Sequence, residues 1–87
     1  HRIHTTHLKK DNEEIFCVKN LSETKHQGLP VYFPQGKWVE VINTDDTKYA
    51  GEGKYLNPGI YEGKGWGTPA IPMNIGSNDV TYFKRIG

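Results

Sequence analysis

The sequence has only one cysteine, Cys17, so the chain cannot form an internal disulfide. Small secreted scaffolds usually depend on several disulfides, and the single thiol therefore favours a reducing, cytoplasmic compartment. No apolar run approaches the roughly 20 residues that a membrane span requires. Lysine and arginine number 11 against 10 aspartates and glutamates, so the chain lacks the basic field that neutralises phosphates. We predict no membrane partner and no nucleic-acid partner.

Helical periodicity is also missing, because no window carries apolar residues at the spacing of an amphipathic helix. Ten glycines and five prolines instead separate short runs of β-branched and aromatic residues, which is typical of strands and turns. With 87 residues the chain is long enough for one domain, 1–87. We predict an all-β fold, an antiparallel β-sandwich of about 7–8 strands, with strands near residues 3–9, 14–20, 29–33, 37–43, 60–62, 70–75 and 80–86.

The alternation within strand 37–43 divides its side chains between two faces. Val39 and Val41 share one face, which we predict to be the core face. Trp38 and Ile42 then share the other face, which we predict to be an exposed docking face. The full predicted core consists of Ile15, Cys17, Val39, Val41, Ile71, Met73, Val80 and Tyr82, with Phe16, Val18 and Phe83 as alternatives.

The residues that catalysis requires do not form a recognisable set. Glycoside hydrolysis needs two carboxyl groups that face each other across about 5–10 Å, whereas Asp45 and Asp46 are neighbours in a turn, where Asp commonly bonds its own backbone. Cys17 lies in the most apolar run, where a cysteine behaves as a small buried hydrophobe, and no Gly-x-Ser-x-Gly elbow is present. We predict no catalytic residue in this chain.

Metal and nucleotide cofactors are not predicted either. His1, His4 and His7 have the spacing of one helical face, but their segment has the pattern of a strand, in which His1 and His4 point to opposite faces. The glycines of 51–53 and 63–67 lack the strand, the helix and the Gly-Lys-Ser/Thr ending of a phosphate loop.

A glycine-rich segment, 44–68, contains four aromatic residues that are candidates for carbohydrate binding. Aromatic rings can stack on the apolar faces of sugars, and glycine lets a ligand approach the backbone. The same rings can instead pack on the sandwich and complete its small core, and the sequence leaves both roles open. The four candidates are Trp66, Tyr61, Tyr55 and Tyr49.

Three segments resemble one enzyme family when they are taken in order. The first is Gly-Lys-Trp at 36–38, which leads into Val-Glu-Val-Ile-Asn-Thr-Asp at 39–45 and then Tyr-Ala-Gly at 49–51. The second is the apolar strand at 14–22, which ends in Asn-Leu-Ser. The third, 71–85, is similar to a final hairpin. Together they resemble the α-amylase family, glycoside hydrolase family 13, most of all its glycogen and starch branching enzymes. The resemblance covers about Thr5 to Arg85 and implies the Greek-key C-terminal all-β domain that follows a catalytic (β/α)₈ barrel.

The resemblance implies an accessory function. The domain is expected to pack on and stabilise a catalytic barrel in cis, and to contact α-glucan. The parent would be a glycoside hydrolase or glucanotransferase, and a first residue other than methionine, His1, agrees with a chain that belongs to a larger enzyme. The alternatives are a stand-alone carbohydrate-binding module that uses Trp66 and the tyrosines, or a β-domain that binds another protein.

Overall fold

The computed structural model describes residues 2–65 and 69–87, which contain seven strands and one short 3₁₀ turn. The strands lie where β-branched and aromatic residues concentrate, and Gly, Asn and Asp occupy the turns between them. Three non-glycine residues in the described turns have positive φ: Asp11 at 55°, Ala50 at 65° and Asn78 at 54°. The strands are β1 Ile3–Lys10, β2 Glu13–Asn20, β3 His26–Val31, β4 Gly36–Asn43, β5 Ile60–Gly63, β6 Ile71–Ile75 and β7 Val80–Arg85, and the 3₁₀ turn is Thr47–Tyr49.

The strands form two antiparallel sheets that enclose one core. The larger sheet has the order β1-β2-β7-β4-β5, and the smaller sheet pairs β3 with β6. Strands β4 and β5 form a hairpin, β6 crosses to the smaller sheet, and β7 returns beside β4, which is a Greek-key connection. The all-β antiparallel sandwich predicted from the sequence is confirmed. Within the described residues, no helix is long and apolar enough to cross a membrane.

The core consists of side chains from both sheets. Phe33 lies at its centre, with its ring centroid 4.9 Å from that of Phe16 and 4.9 Å from that of Phe83. Such tilted and edge-to-face pairs add about 0.5–1.5 kcal/mol each beyond the area they bury. The buried cluster comprises Phe16, Val18, Leu29, Val31, Phe33, Trp38, Met73, Ile75 and Phe83.

The predicted core face of β2 and β7 is wrong, apart from Cys17, which is buried from the opposite side. Phe16 and Val18 face the smaller sheet, whereas Ile15 is only half-buried on the other side of the larger sheet. Phe83 likewise replaces the predicted Tyr82 and Val80, which are half-buried. Both faces of these strands are apolar, so alternation alone does not identify the core face. Met73 is in the core as predicted, and Ile71 packs against it.

The predicted faces of β4 are also wrong, because Trp38 is on the core face and Val41 is exposed. Trp38 has no exposed surface and donates its indole N–H to the Pro34 carbonyl at 2.9 Å, so it is not available to a docking partner. The register of β4 shifts between Glu40 and Ile42, and this bulge places Ile42 on the opposite face from Trp38. Val41, predicted to be buried, is 43% exposed.

Candidate functional site

The outer face of the larger sheet, which points away from the smaller sheet, carries three of the large apolar side chains that the structure leaves exposed. Leu8 on β1 is 57% exposed, Ile42 on β4 is 38% exposed and Ile60 on β5 is 62% exposed. The strand register joins Leu8, Ile15, Lys84, Val39 and Ile60 in one cross-strand row, and Thr6, Cys17, Tyr82 and Ile42 in the next.

Charged side chains surround and interrupt these apolar rows. Lys84 lies in the middle of the first row, and its ammonium is 3.8 Å from a carboxylate oxygen of Glu13. Cys17 is 3% exposed on this side of the sheet, and burial raises the pKa of its thiol. A neutral, enclosed thiol is a poor nucleophile, so the outer face offers a contact surface rather than a reactive group.

Asp45 organises the glycine-rich segment. Its carboxylate accepts backbone N–H groups from Glu52 at 3.1 Å, Lys54 at 2.8 Å and Tyr55 at 2.7 Å. Burial alone raises the pKa of Asp45, but these three donors and the charge of Lys25 outweigh it and lower the pKa overall. The carboxylate predicted only as a turn residue therefore holds a ten-residue loop in place.

The four predicted carbohydrate-binding aromatics do not form one cluster in the described residues. Tyr61 packs its ring against Phe33 and Phe83, at 6.2 Å from each, so it contributes to the core. Tyr55 is half-buried beside the Asp45 loop, while Tyr49 is 49% exposed on the 3₁₀ turn. Trp66 lies outside the described residues.

Two of these tyrosines also lie at opposite ends of β4. Tyr61 pairs with Trp38, and the Tyr55 carbonyl accepts a bond from the Asn43 side chain. Five residues of strand separate those two positions, which corresponds to roughly 16 Å. The backbones of the two tyrosines are therefore anchored at well-separated positions along the strand.

A buried polar network at one end of the sandwich was not predicted from the sequence. One oxygen of the Glu40 carboxylate accepts the Asn43 amide at 3.0 Å and both the backbone and side-chain N–H groups of Asn57, at 3.0 and 2.9 Å. Asn57 also donates to the Asn74 carbonyl at 2.9 Å, which ties the loop to β6. Because these bonds fix the backbone, the network has a structural role.

A second charged cluster lies at the other end, around Glu14. Its carboxylate is 2.8 Å from the His7 ring nitrogen and 2.8 Å from the Arg85 guanidinium. The hydrogen bond from His7 is the largest cause that lowers the pKa of Glu14, and the bond and charge of Arg85 add to it against the cost of burial. In the described part of the chain, no three His, Cys, Asp or Glu side chains are placed to hold a metal ion.

Comparison with known proteins gives this geometry a family context. The curated proteins that match are 1,4-alpha-glucan branching enzymes: 45% identical over 42 residues in Corynebacterium jeikeium, 42% over 45 residues in Mycolicibacterium paratuberculosis and 39% over 44 residues in Myxococcus xanthus. These stretches cover 47%, 51% and 49% of this chain but only 6% of each relative. The family described as "Alpha amylase, C-terminal all-beta domain" matches residues 5–85. The chain therefore belongs to the family of alpha amylase C-terminal all-beta domains.

Proposed function

We propose that this domain is the accessory, non-catalytic C-terminal part of an α-glucan-acting enzyme, and that its outer face packs on the catalytic (β/α)₈ barrel of that enzyme. The observation that carries the proposal is the exposure of Leu8, Ile42 and Ile60 on one sheet face. Exposed apolar side chains that share one face and are rimmed by charged residues are typical of protein-interaction surfaces.

The energetics favour a covered outer face. Burying a fully exposed aliphatic side chain contributes about 1.5–3 kcal/mol, so three partly exposed residues contribute several kcal/mol. A barrel in the same polypeptide is held at a high effective concentration, so it needs little intrinsic affinity to stay docked. Lys84 and Glu13, which are within 3.8 Å of each other, supply the polar contacts typical of such interfaces.

The parent enzyme is inferred from the relatives. All three are named as 1,4-alpha-glucan branching enzymes, and each is far longer than the stretch it shares with this chain. A glycoside hydrolase or glucanotransferase that acts on α-glucan is the parent we propose. We place its catalytic residues in the barrel. The buried carboxylate of Asp45, which three backbone N–H groups engage, has a structural role in this domain.

The test is to place a charge on each layer of the sandwich in the intact enzyme. Ile60→Lys puts a charge on the outer face. Tyr32→Lys is the control and puts the same charge directly after β3, where Tyr32 is 74% exposed. We expect Ile60→Lys to lower the melting temperature of the intact enzyme by several degrees and to leave that of the 87-residue chain nearly unchanged. Equal melting temperatures for wild type and Ile60→Lys in the intact enzyme would refute docking through this face.

Contact with α-glucan is the second part of the proposal, and an exposed aromatic ring supports it. Among the three predicted tyrosines, Tyr49 has the most accessible ring, at 49% exposure. The alternative of a stand-alone carbohydrate-binding module rests on the same ring and on Trp66. Titration of the chain with maltooligosaccharides, with Tyr49→Ala and Trp66→Ala for comparison, tests whether either residue binds sugar.

A further inference from the structure

The smaller sheet is formed from segments that carry no charged side chain. Residues 26–35 and 69–78 contain no Lys, Arg, Asp or Glu, although these four types make up 24% of the chain. The first segment includes β3 and the second includes β6. A surface built from them differs from the outer face of the larger sheet, where lysines and glutamates interrupt the apolar rows.

The exposed side of the smaller sheet carries two prolines, and an exposed aromatic residue follows directly after the end of β3. Tyr32 is the most exposed large apolar residue of the described chain, at 74%. Pro30 and Pro72 are exposed and lie directly opposite each other in the strand pairing. We call these three residues the proline–tyrosine patch.

The backbone under the patch is held firmly. Val31 and Phe33, which flank Tyr32, are 4% and 5% exposed and belong to the core. The two prolines restrict their own φ angles and have no N–H to donate, so a further strand cannot add to the sheet at these positions. The patch is therefore a preorganised surface that is protected from strand addition.

We propose that the proline–tyrosine patch binds α-glucan by stacking a sugar ring on Tyr32. This proposal rests on the proposed function, because it takes the substrate class from there. The C–H face of a glucose ring is apolar and the sugar is uncharged, so it meets a surface with no ionic group to desolvate. A tyrosine ring loses little conformational entropy on binding, since it has only two side-chain torsions.

The position of the patch leaves one layer of the sandwich for docking and the other for glucan binding. The outer face of the larger sheet and the proline–tyrosine patch lie on opposite sides of one sandwich. A domain docked on a barrel through the larger sheet therefore keeps the patch open to a long polysaccharide. Binding there would tether the polymer near the barrel without contributing to bond cleavage.

The experiment is affinity electrophoresis of the intact enzyme through gels that contain increasing amounts of amylopectin. We expect Tyr32→Ala to weaken the glucan-dependent retardation by about three- to tenfold in dissociation constant, which is the usual value of one aromatic contact. Tyr32→Phe keeps the ring and should keep the retardation. Leu21→Ala, which removes an exposed apolar residue in the loop after β2, is the matched control and should behave as wild type.

Kinetics provide a second readout that separates tethering from catalysis. With long amylose, Tyr32→Ala should raise KM and leave kcat unchanged, while neither constant changes with a short maltooligosaccharide.

Unchanged retardation of Tyr32→Ala, or a loss of retardation confined to Tyr49→Ala, would overturn the proposal. A fall in the melting temperature of the intact enzyme on Tyr32→Ala would also overturn it, because the patch would then be a protein interface. Failure of the docking proposal is detected separately, by an unchanged melting temperature of Ile60→Lys.

Discussion

Within the described residues, Thr81 has a buried side-chain polar atom that lacks a hydrogen-bond partner. Its side chain is 1% exposed, and its hydroxyl has no hydrogen-bond partner. Valine has the same shape and strand preference but no polar atom to desolvate. We expect Thr81→Val to stabilise the fold by about 1 kcal/mol, measured as a higher urea midpoint with an unchanged m-value. A loss of similar size would show that the hydroxyl has a partner.

Asp45 is the opposite case, because its buried carboxylate accepts three backbone donors. An amide in its place removes the charge and turns one acceptor into a donor that faces N–H groups. We expect Asp45→Asn to cost roughly 2–4 kcal/mol in urea unfolding, since bonds to charged groups contribute about 1.5–3 kcal/mol. Asp46→Asn is the matched control: Asp46 bonds one backbone N–H, of Lys48, and asparagine replaces it there at a cost below about 1 kcal/mol.

At the scale of one element, β4 separates a core side chain from a surface side chain four residues apart. Trp38 is fully enclosed and Ile42 is 38% exposed. We expect Trp38→Ala to cost about 3–5 kcal/mol, the usual range for a buried tryptophan, and Ile42→Ala to cost less than about 1.5 kcal/mol in the chain alone. The two urea midpoints check this, and equal costs would place both side chains on one face.

The same strand shows what its sequence could and could not predict. The apolar runs and the turn residues predicted a strand at each of the seven described ones, because strand propensity and glycine conformation are local properties. The bounds of β3 were wrong: it was predicted at 29–33 and runs from His26 to Val31. The face of β4 was mispredicted because valine, tryptophan and isoleucine occupy both sides, and because a bulge after Glu40 interrupts the alternation. Bulge position depends on pairing with β7, which no single segment encodes.

Candidate sites were harder to predict because they depend on contacts between distant segments. Asp45 meets the loop up to ten residues away, and Asn57 meets Asn74 across 17 residues. Tyr32 was not predicted as a site residue. Its exposure nevertheless follows from the alternation of Leu29, Val31 and Phe33, all of which are buried. The sequence instead predicted the aromatic residues of the glycine-rich segment as the carbohydrate-binding candidates.

At the scale of the whole molecule, carboxylates at both ends of the sandwich couple folding to pH. The pKa of Glu14 is lowered from 4.5 chiefly by its bond with His7, and that of Asp45 is lowered from 3.8 because three backbone donors and Lys25 outweigh its burial. A carboxyl with a lowered pKa in the folded state is protonated more readily when unfolded. The stability it contributes is therefore present above the ordinary carboxyl pKa and is lost as the pH falls below that value.

Asp79 acts in the opposite direction, because burial, together with the charges of Asp45 and Glu52, raises its pKa in the folded state. Its charged form is destabilising near neutral pH, and acidification relieves that cost. We expect Asp79→Asn to raise the urea midpoint at pH 7 and to steepen the loss of stability between pH 5 and about pH 3, whereas Glu14→Gln should make that loss shallower. Midpoints measured across this range for the two variants and the wild type test the assignment. A wild-type midpoint that rises steadily on acidification would mean that Asp79, and not Glu14 and Asp45, dominates the pH dependence of the domain.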